Sequence, residues 1–258
     1  MYIILLGTAG AGKSTLAGEL RSVMEETGGN VAIVNFDPAA EKLPYDPDVD
    51  VRNYVNIEDF LDKGLGPNGS LVSAVDSLIN YTDKIRNEID KFKPDFTIID
   101  TPGQLELFSY RVGGPLVLNS LIYNDKAVVI FLMDSIFFDN PANMVSILTL
   151  ASSVNTRFKK PQINVISKSD LLSEEVVNEI IPRLHEEGYL ESLLRDFKEL
   201  DGYTLSLSLS LARALYEAGY FGHILPVSIF NELSLRNLYG QIQDILTEGE
   251  DYKVYDNE

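Results

Sequence analysis

The chain begins with an apolar run, YIILL at positions 2–6, that passes without a break into GTAGAGKST at positions 7–15. Gly7, Gly12, Lys13 and Ser14 match the spacing G-x-x-x-x-G-K-[S/T]. A strand, a glycine-rich turn and a helix in direct succession have one chemical use: backbone N–H groups curl round phosphate oxygens while the helix N-terminus adds partial positive charge. The turn residues Gly10, Ala11, Gly12, Lys13, Ser14 and Thr15 are therefore assigned to the phosphates of a nucleotide. Lys13 is to reach the β and γ phosphates, and the Ser14 hydroxyl is a hard oxygen ligand suited to Mg²⁺. A dinucleotide-binding turn is excluded, because GTAGAG is not G-x-G-x-x-G.

Further apolar runs of strand length occur at 31–36, 96–100, 127–133, 163–167 and 224–228, with helical spacing between them. Continuous apolar strands alternating with helices predict a parallel sheet covered on both faces. The expected fold class is α/β, a three-layer parallel-sheet P-loop NTPase fold. One domain spans 1–258, with a helical insertion over about 174–222. Leu71, Val72, Val75, Leu78, Ile79, Ile85, Ile89 and Phe92 form a stripe near period 3.6 and predict one long helix over 70–92. The segment TLSLSLSLA at 204–212 alternates with period 2 but continues into a helical pattern, so periodicity leaves it open.

Three more motifs stand at predicted strand ends, where open α/β sheets gather ligands. In IIDTPGQLE, Asp100 is placed to serve the Mg²⁺ shell through water. Gly103 is to offer a backbone N–H to the γ phosphate, and Gln104 to orient an attacking water. In NFDPAAEKLPYD, Asp37 is a second metal-side or water-side carboxylate. In VISKSD, the Asp170 carboxylate can accept from the ring N–H and exocyclic amine of guanine, a donor pair adenine lacks, and the Lys168 stem would lie along the base. Ser167 stands where the usual signature has Asn. Ser228 and Ile229, in PVSI at 226–229, are to offer backbone N–H groups to the base carbonyl. GTP and GDP are thus the expected substrate and product, with Mg²⁺ as cofactor.

Composition removes other chemistries. The chain has no cysteine and only two histidines, His185 and His223, which excludes thiolate sites and makes a His-based metal site or relay unexpected. A formal charge of −18 argues against a nucleic-acid surface. No basic leader and no run of about 20 apolar residues is present, so the expectation is a cytoplasmic protein with no membrane partner. The acidic end, GEDYKVYDNE, is expected to be frayed.

Between the second and third predicted strands lies LGPNGS, 65–70. It reads as a rigid turn, with Pro67 at the first central position, Asn68 and Gly69 in the left-handed region, and a helix starting near Ser70. With this motif the order P-loop, DPA, GPN, DTPGQ, SKSD resembles the GPN-loop GTPases over about residues 2–245. The resemblance implies a homodimeric GTPase in which Gly66, Pro67 and Asn68, from a loop region of about 52–70, enter the partner's site, with Asn68 stabilising phosphate there. It also implies that Lys13, Asp37, Asp100 and Gln104 serve catalysis and that Ser14, Asp37 and Asp100 serve the metal. Glu106 fits the family's GQxE pattern without a defined role. Lys63 and Arg52, near the loop in sequence, remain open as basic fingers. The resemblance further implies a compact, archaeal-like form and links to RNA polymerase subunits or their assembly factors. A GTPase switch, a GTP-dependent assembly or chaperone scaffold, and a P-loop kinase with an acceptor pocket are the readings the sequence leaves standing.

Overall fold

A computed structural model describes residues 1–221 and 224–247; His223 and the acidic end from residue 249 lie outside them. β1 (Tyr2–Gly7), β2 (Val31–Asn35), β3 (Val49–Asp50), β4 (Phe96–Asp100), β5 (Ala127–Asp134), β6 (Gln162–Ser167) and β7 (Ile224–Val227) form one sheet in the order β3-β2-β4-β1-β5-β6-β7. Every pairing is parallel. The six predicted strands are present, shifted by a residue at some ends. The sequence reading missed β3, because two residues at a sheet edge have no periodicity to detect.

Successive β1 residues enter different cores, which is why the strand is apolar at each position. Ile3 and Leu5 join a core under α1 (Lys13–Glu26) and α11 (Glu232–Thr247). Tyr2, Ile4 and Leu6 face the other layer, which includes α3 (Pro67–Ser77), α4 (Thr82–Phe92), α6 (Gly113–Ile122), α7 (Pro141–Phe158), α9 (Tyr189–Asp196) and α10 (Gly202–Glu217). The shorter α2 (Glu58–Leu61), α5 (Leu105–Ser109) and α8 (Ile181–Arg183) complete the chain's α-helices among the described residues. The result is the expected three-layer α/β fold.

Two local expectations change. The predicted long helix is two helices, α3 and α4, joined by a 3₁₀ turn at Leu78–Tyr81. Side chains compete with the backbone there: the Ser77 hydroxyl donates to Ala74 O at 2.7 Å, and the Thr82 hydroxyl to Ile79 O at 3.1 Å. The LGPNGS segment is also no free turn before a helix at Ser70. Gly66 is the N-cap, with φ −66° and ψ 170°, Pro67 is the first helical residue, and Asn68 and Gly69 are inside α3. The nearest residue with positive φ is Gly64. Proline is favoured at a helix's first position because that N–H has no partner in the helix. The Ser70 N–H donates to Gly66 O at 2.8 Å and its hydroxyl to Leu65 O at 3.1 Å, which ties the loop to the helix start.

The helical segment after β6 contains a π turn at Val176–Ile180 followed by α8, α9 and α10. TLSLSLSLA is part of α10. Leu205, Leu209 and Ala212 pack inward, one turn apart, whereas Tyr203 and Leu207 are 81% and 45% exposed. Alternation with period 2 thus spreads leucine over two helix faces. Among the described residues no helix is long and apolar enough to cross a membrane.

Candidate functional site

The carboxyl ends of β1, β2, β4, β5, β6 and β7 surround two adjoining clefts that share Gly12 and Thr15. The phosphate-binding turn follows from two backbone facts. Gly7 pairs with Leu132 of β5, and a Cβ at Gly7 would lie 2.5 Å from the Leu132 carbonyl. Gly12 takes φ 89° as the N-cap of α1, a conformation that side chains other than glycine strain to adopt.

The first cleft, about 370 Å³, is lined by Gly10, Gly12, Lys13, Ser14, Thr15, Asp37, Asp100, Thr101 and Gly103, with Ala40, Lys42 and Leu43 along one side. Lys13 is 5% exposed, and its ammonium donates to Gly7 O and Thr8 O, each at 3.0 Å. Burial pulls its pKa down, against the opposing charges of Asp100 and Asp37. Thr101 donates to Leu5 O at 2.6 Å and so fixes the chain leaving β4 against β1.

Asp100 is 2% exposed. Its Oδ2 accepts from the Tyr45 hydroxyl at 2.7 Å, while no donor meets Oδ1 with hydrogen-bond geometry. Burial pushes its pKa up, in part offset by the Ser14 and Tyr45 hydroxyls and the Lys13 charge. Burial likewise raises the pKa of Asp37, offset first by the Ala39 N–H, then by Lys13 and the Gly103 N–H. The Ala39 N–H donates to Asp37 Oδ1 at 2.9 Å. Gly103, expected to serve a phosphate, lines the same cleft as Asp37.

The raised pKa of Asp100 has a consequence for stability. A folded-state value above the unfolded one means that its favourable contribution is present below the ordinary carboxylate range and lost as pH rises through the folded pKa. Above that folded value the protein bears the cost of a buried charge. Asp100→Asn, which keeps an acceptor for Tyr45, is expected to raise the melting temperature near pH 7 by about 2–4 °C per kcal/mol relieved. The gain should shrink as pH falls into the ordinary carboxylate range. Thermal unfolding across pH in a chelator checks this; a variant that melts below the parent at neutral pH contradicts it.

The second cleft, about 300 Å³, is lined by Ala11, Gly12, Thr15, Ser167, Lys168, Asp170 and Ile229, with Leu171 and Phe230 at its mouth. Leu171 and Phe230 are both exposed. Asp170 is exposed too, and its Oδ1 accepts from the buried Ser228 hydroxyl at 2.6 Å. Ser228 is held in turn by donation from the Phe230 N–H to its Oγ at 3.2 Å. Ser167 donates to Met133 O at 3.2 Å, linking β6 to β5 where the usual signature has Asn. Lys168 takes φ 56°, and its ammonium pairs with Asp134 Oδ2 at 2.6 Å, which extends its stem across the cleft wall.

Three residues of the sequence motifs stand outside both clefts. Gln104 is exposed at the head of α5, lines neither cleft, and its side chain makes no hydrogen bond among the described residues. Glu106, on α5, is exposed. Asn68 is exposed and lines neither of its own chain's clefts. The two open basic residues are engaged. Arg52 donates to Asp50 and, at 2.7 Å, to Ala40 O, and the Lys63 ammonium lies 5.0 Å from the Phe60 ring centroid. Asp50 also accepts from Asn35 Nδ2 at 3.0 Å, and the Asn35 Oδ1 accepts from the Asp37 N–H at 3.1 Å, so this network braces the Asp37 loop.

Sequence reasoning missed Tyr45, Lys42 and Asp134. Asp134 ends an apolar strand, the signal that identified Asp100. Tyr45 reaches Asp100 across 55 positions and left no local trace.

Comparison with known proteins identifies the family of the chain. A family model described as a conserved hypothetical ATP binding protein matches residues 5–248. GPN-loop GTPase 3 of Dictyostelium discoideum is 31% identical over 96% of this chain and 87% of its own. A GPN-loop GTPase of Pyrococcus abyssi is 34% identical over 68% of this chain and 70% of its own. The crystal structure of a GTPase in apo form from Pyrococcus abyssi superposes with a TM-score of 0.81 at 29% identity, covering 95% of this chain and 97% of that one. A family model that spans most of the chain, and relatives matched along almost its whole length, place this protein in the GPN-loop GTPase family, as a GTP-binding and GTP-hydrolysing member.

Proposed function

We propose that the chain is a Mg²⁺-dependent GTPase acting as a homodimeric switch, in which the Gly66-Pro67-Asn68 loop of each protomer completes the phosphate site of the other. The observation that carries this reading is the separation of parts: the phosphate cleft holds Lys13, Ser14, Asp37 and Asp100, while Asn68 is exposed and outside it. A phosphoryl-transfer transition state needs donors aimed at developing charge and little covalent help. An Asn amide from a second copy would supply them.

The donor set fits Mg²⁺. Ser14 supplies a neutral hard oxygen, Asp37 a carboxylate, and Asp100 an orphaned buried Oδ1 suited to an ordered water. Among the described residues no group of three acidic or histidine side chains would hold a cation alone, so phosphate and water would complete the shell. When bound, Mg²⁺ supplies charge neutralisation between the phosphates. Lys13 binds phosphate oxygens by leaving Gly7 O and Thr8 O, its acceptors in the structure. Asp170 fixes the base as guanine, against the ATP in the family model's description.

The expected result is release of phosphate from GTP with Mg²⁺ and its loss in chelator, with a dimeric mass by light scattering when a GTP analogue is bound. A monomer that turns over at full rate would end the dimer reading. A second reading, a GTP-dependent assembly scaffold for a partner such as an RNA polymerase subunit, rests on family resemblance and is favoured by the exposed Tyr203 and Leu207 on α10. It requires partner binding that follows the nucleotide state and survives loss of turnover.

A further inference from the structure

Tyr45 has no part in the assignments above, yet its hydroxyl donates at 2.7 Å to Oδ2 of Asp100, the most buried carboxylate of the phosphate cleft. The segment that carries it is pinned at both ends. Before it, Arg52 Nη1 donates to Ala40 O at 2.7 Å. After it, Asp48 pairs with Arg21 at 3.0 Å and accepts from the Ile33 N–H at 2.8 Å. Tyr45 itself packs beside Gly18 of α1, in contact with the core under α1 and α11.

A carboxylate rotates easily about its terminal torsion, so its two oxygens would otherwise exchange places. Here one oxygen is held by a fixed phenol, while the other, Oδ1, is buried with no donor in hydrogen-bond geometry, the Ser14 hydroxyl interacting with the carboxylate without meeting that geometry. An unpaired buried carboxylate oxygen is costly and is retained where a bound species satisfies it. We propose that Tyr45 is a positioning residue: by holding Oδ2 it dedicates Oδ1 of Asp100 to the water shell of nucleotide-bound Mg²⁺. The inference rests on the Mg²⁺-dependent reading above. Partners that orient the groups around a metal commonly change its affinity by about 10–100-fold when removed.

The test is Tyr45→Phe, which keeps the ring packed and deletes only the donor. Release of a fluorescent GDP analogue from the full chain is followed across Mg²⁺ concentration and in chelator, and Mn²⁺ binding to the GDP-loaded protein is followed by electron paramagnetic resonance. The Mg²⁺ needed for half-maximal retention of nucleotide should rise about tenfold and Mn²⁺ should bind correspondingly more weakly, with release in chelator unchanged. An unchanged Mg²⁺ midpoint overturns the proposal. Equal acceleration in chelator also overturns it, because that assigns Tyr45 to loop packing alone. If release from the parent protein ignores Mg²⁺ altogether, the metal reading itself fails, an outcome distinct from a variant that behaves like a metal-responsive parent.

Discussion

Asp170→Asn is expected to lower GTP affinity by about two to four powers of ten, because two hydrogen bonds to a charged acceptor, each about 1.5–3 kcal/mol, are lost or weakened together. The carboxylate presents acceptors only, and guanine presents two adjacent donors. Adenine offers an acceptor where guanine has its ring N–H, so in the parent it would set lone pair against lone pair. Asn replaces one acceptor by a donor, which suits xanthine, whose ring N–H stands beside a carbonyl. The variant should therefore exchange a preference for GTP for one for xanthosine triphosphate. Ser228, which donates to Oδ1 at 2.6 Å, can donate equally to the amide oxygen, so the side chain should keep its place. Competition of guanine, xanthine and adenine nucleotides against a fluorescent GDP analogue, for parent and variant, checks this. Undiminished GTP affinity in the variant removes Asp170 from base reading, and equal ATP competition in the parent supports the other base.

The parts of this molecule legible in the sequence are those in which one local requirement fixes the residues. β1 and β5 are buried on both faces and read as unbroken apolar runs. The phosphate turn needs glycine where Gly7 meets the Leu132 carbonyl and where Gly12 takes positive φ, so those positions are visible without a structure. Legibility fails where one local sequence serves two geometries. Pro-Asn-Gly suits the centre of a turn and also the first turn of a helix; α3 takes the second option because Gly66 can cap it and Leu71 and Val75 are buried along it. The Leu-Ser alternation of α10 suits a half-buried strand, and a helix tolerates it because that helix is only partly covered. The Tyr45–Asp100 bond and the Lys168–Asp134 pair form between distant segments, and no pattern within a window of residues encodes them.

The start of α3 at Pro67 bears on the proposed action of Asn68 between protomers, and it leads to the second large effect. As the second residue of a helix whose cap and first bonds are in place, Asn68 needs little reordering to present its amide, the condition for stabilising developing charge. Asn68→Ala should reduce the rate of GTP hydrolysis by about 10²–10³-fold, the usual effect of deleting one aligned donor. GTP affinity should change little, since the base cleft and Lys13 belong to the same chain. Lys42, exposed along the phosphate cleft, is the competing source of charge, and it would act within one chain. Mixing separates the two. Lys13→Ala abolishes a protomer's own site but leaves its Asn68, whereas Asn68→Ala leaves the site but no donor to give. Equal amounts that exchange freely form mixed dimers as about half of the total, each with one complete site of two, so about a quarter of parental activity should return. Each variant alone should stay inactive. If the mixture is no more active than its parts while dimers demonstrably exchange, Asn68 does not act across the interface, and a Lys42→Ala variant then shows whether the charge comes from within the chain.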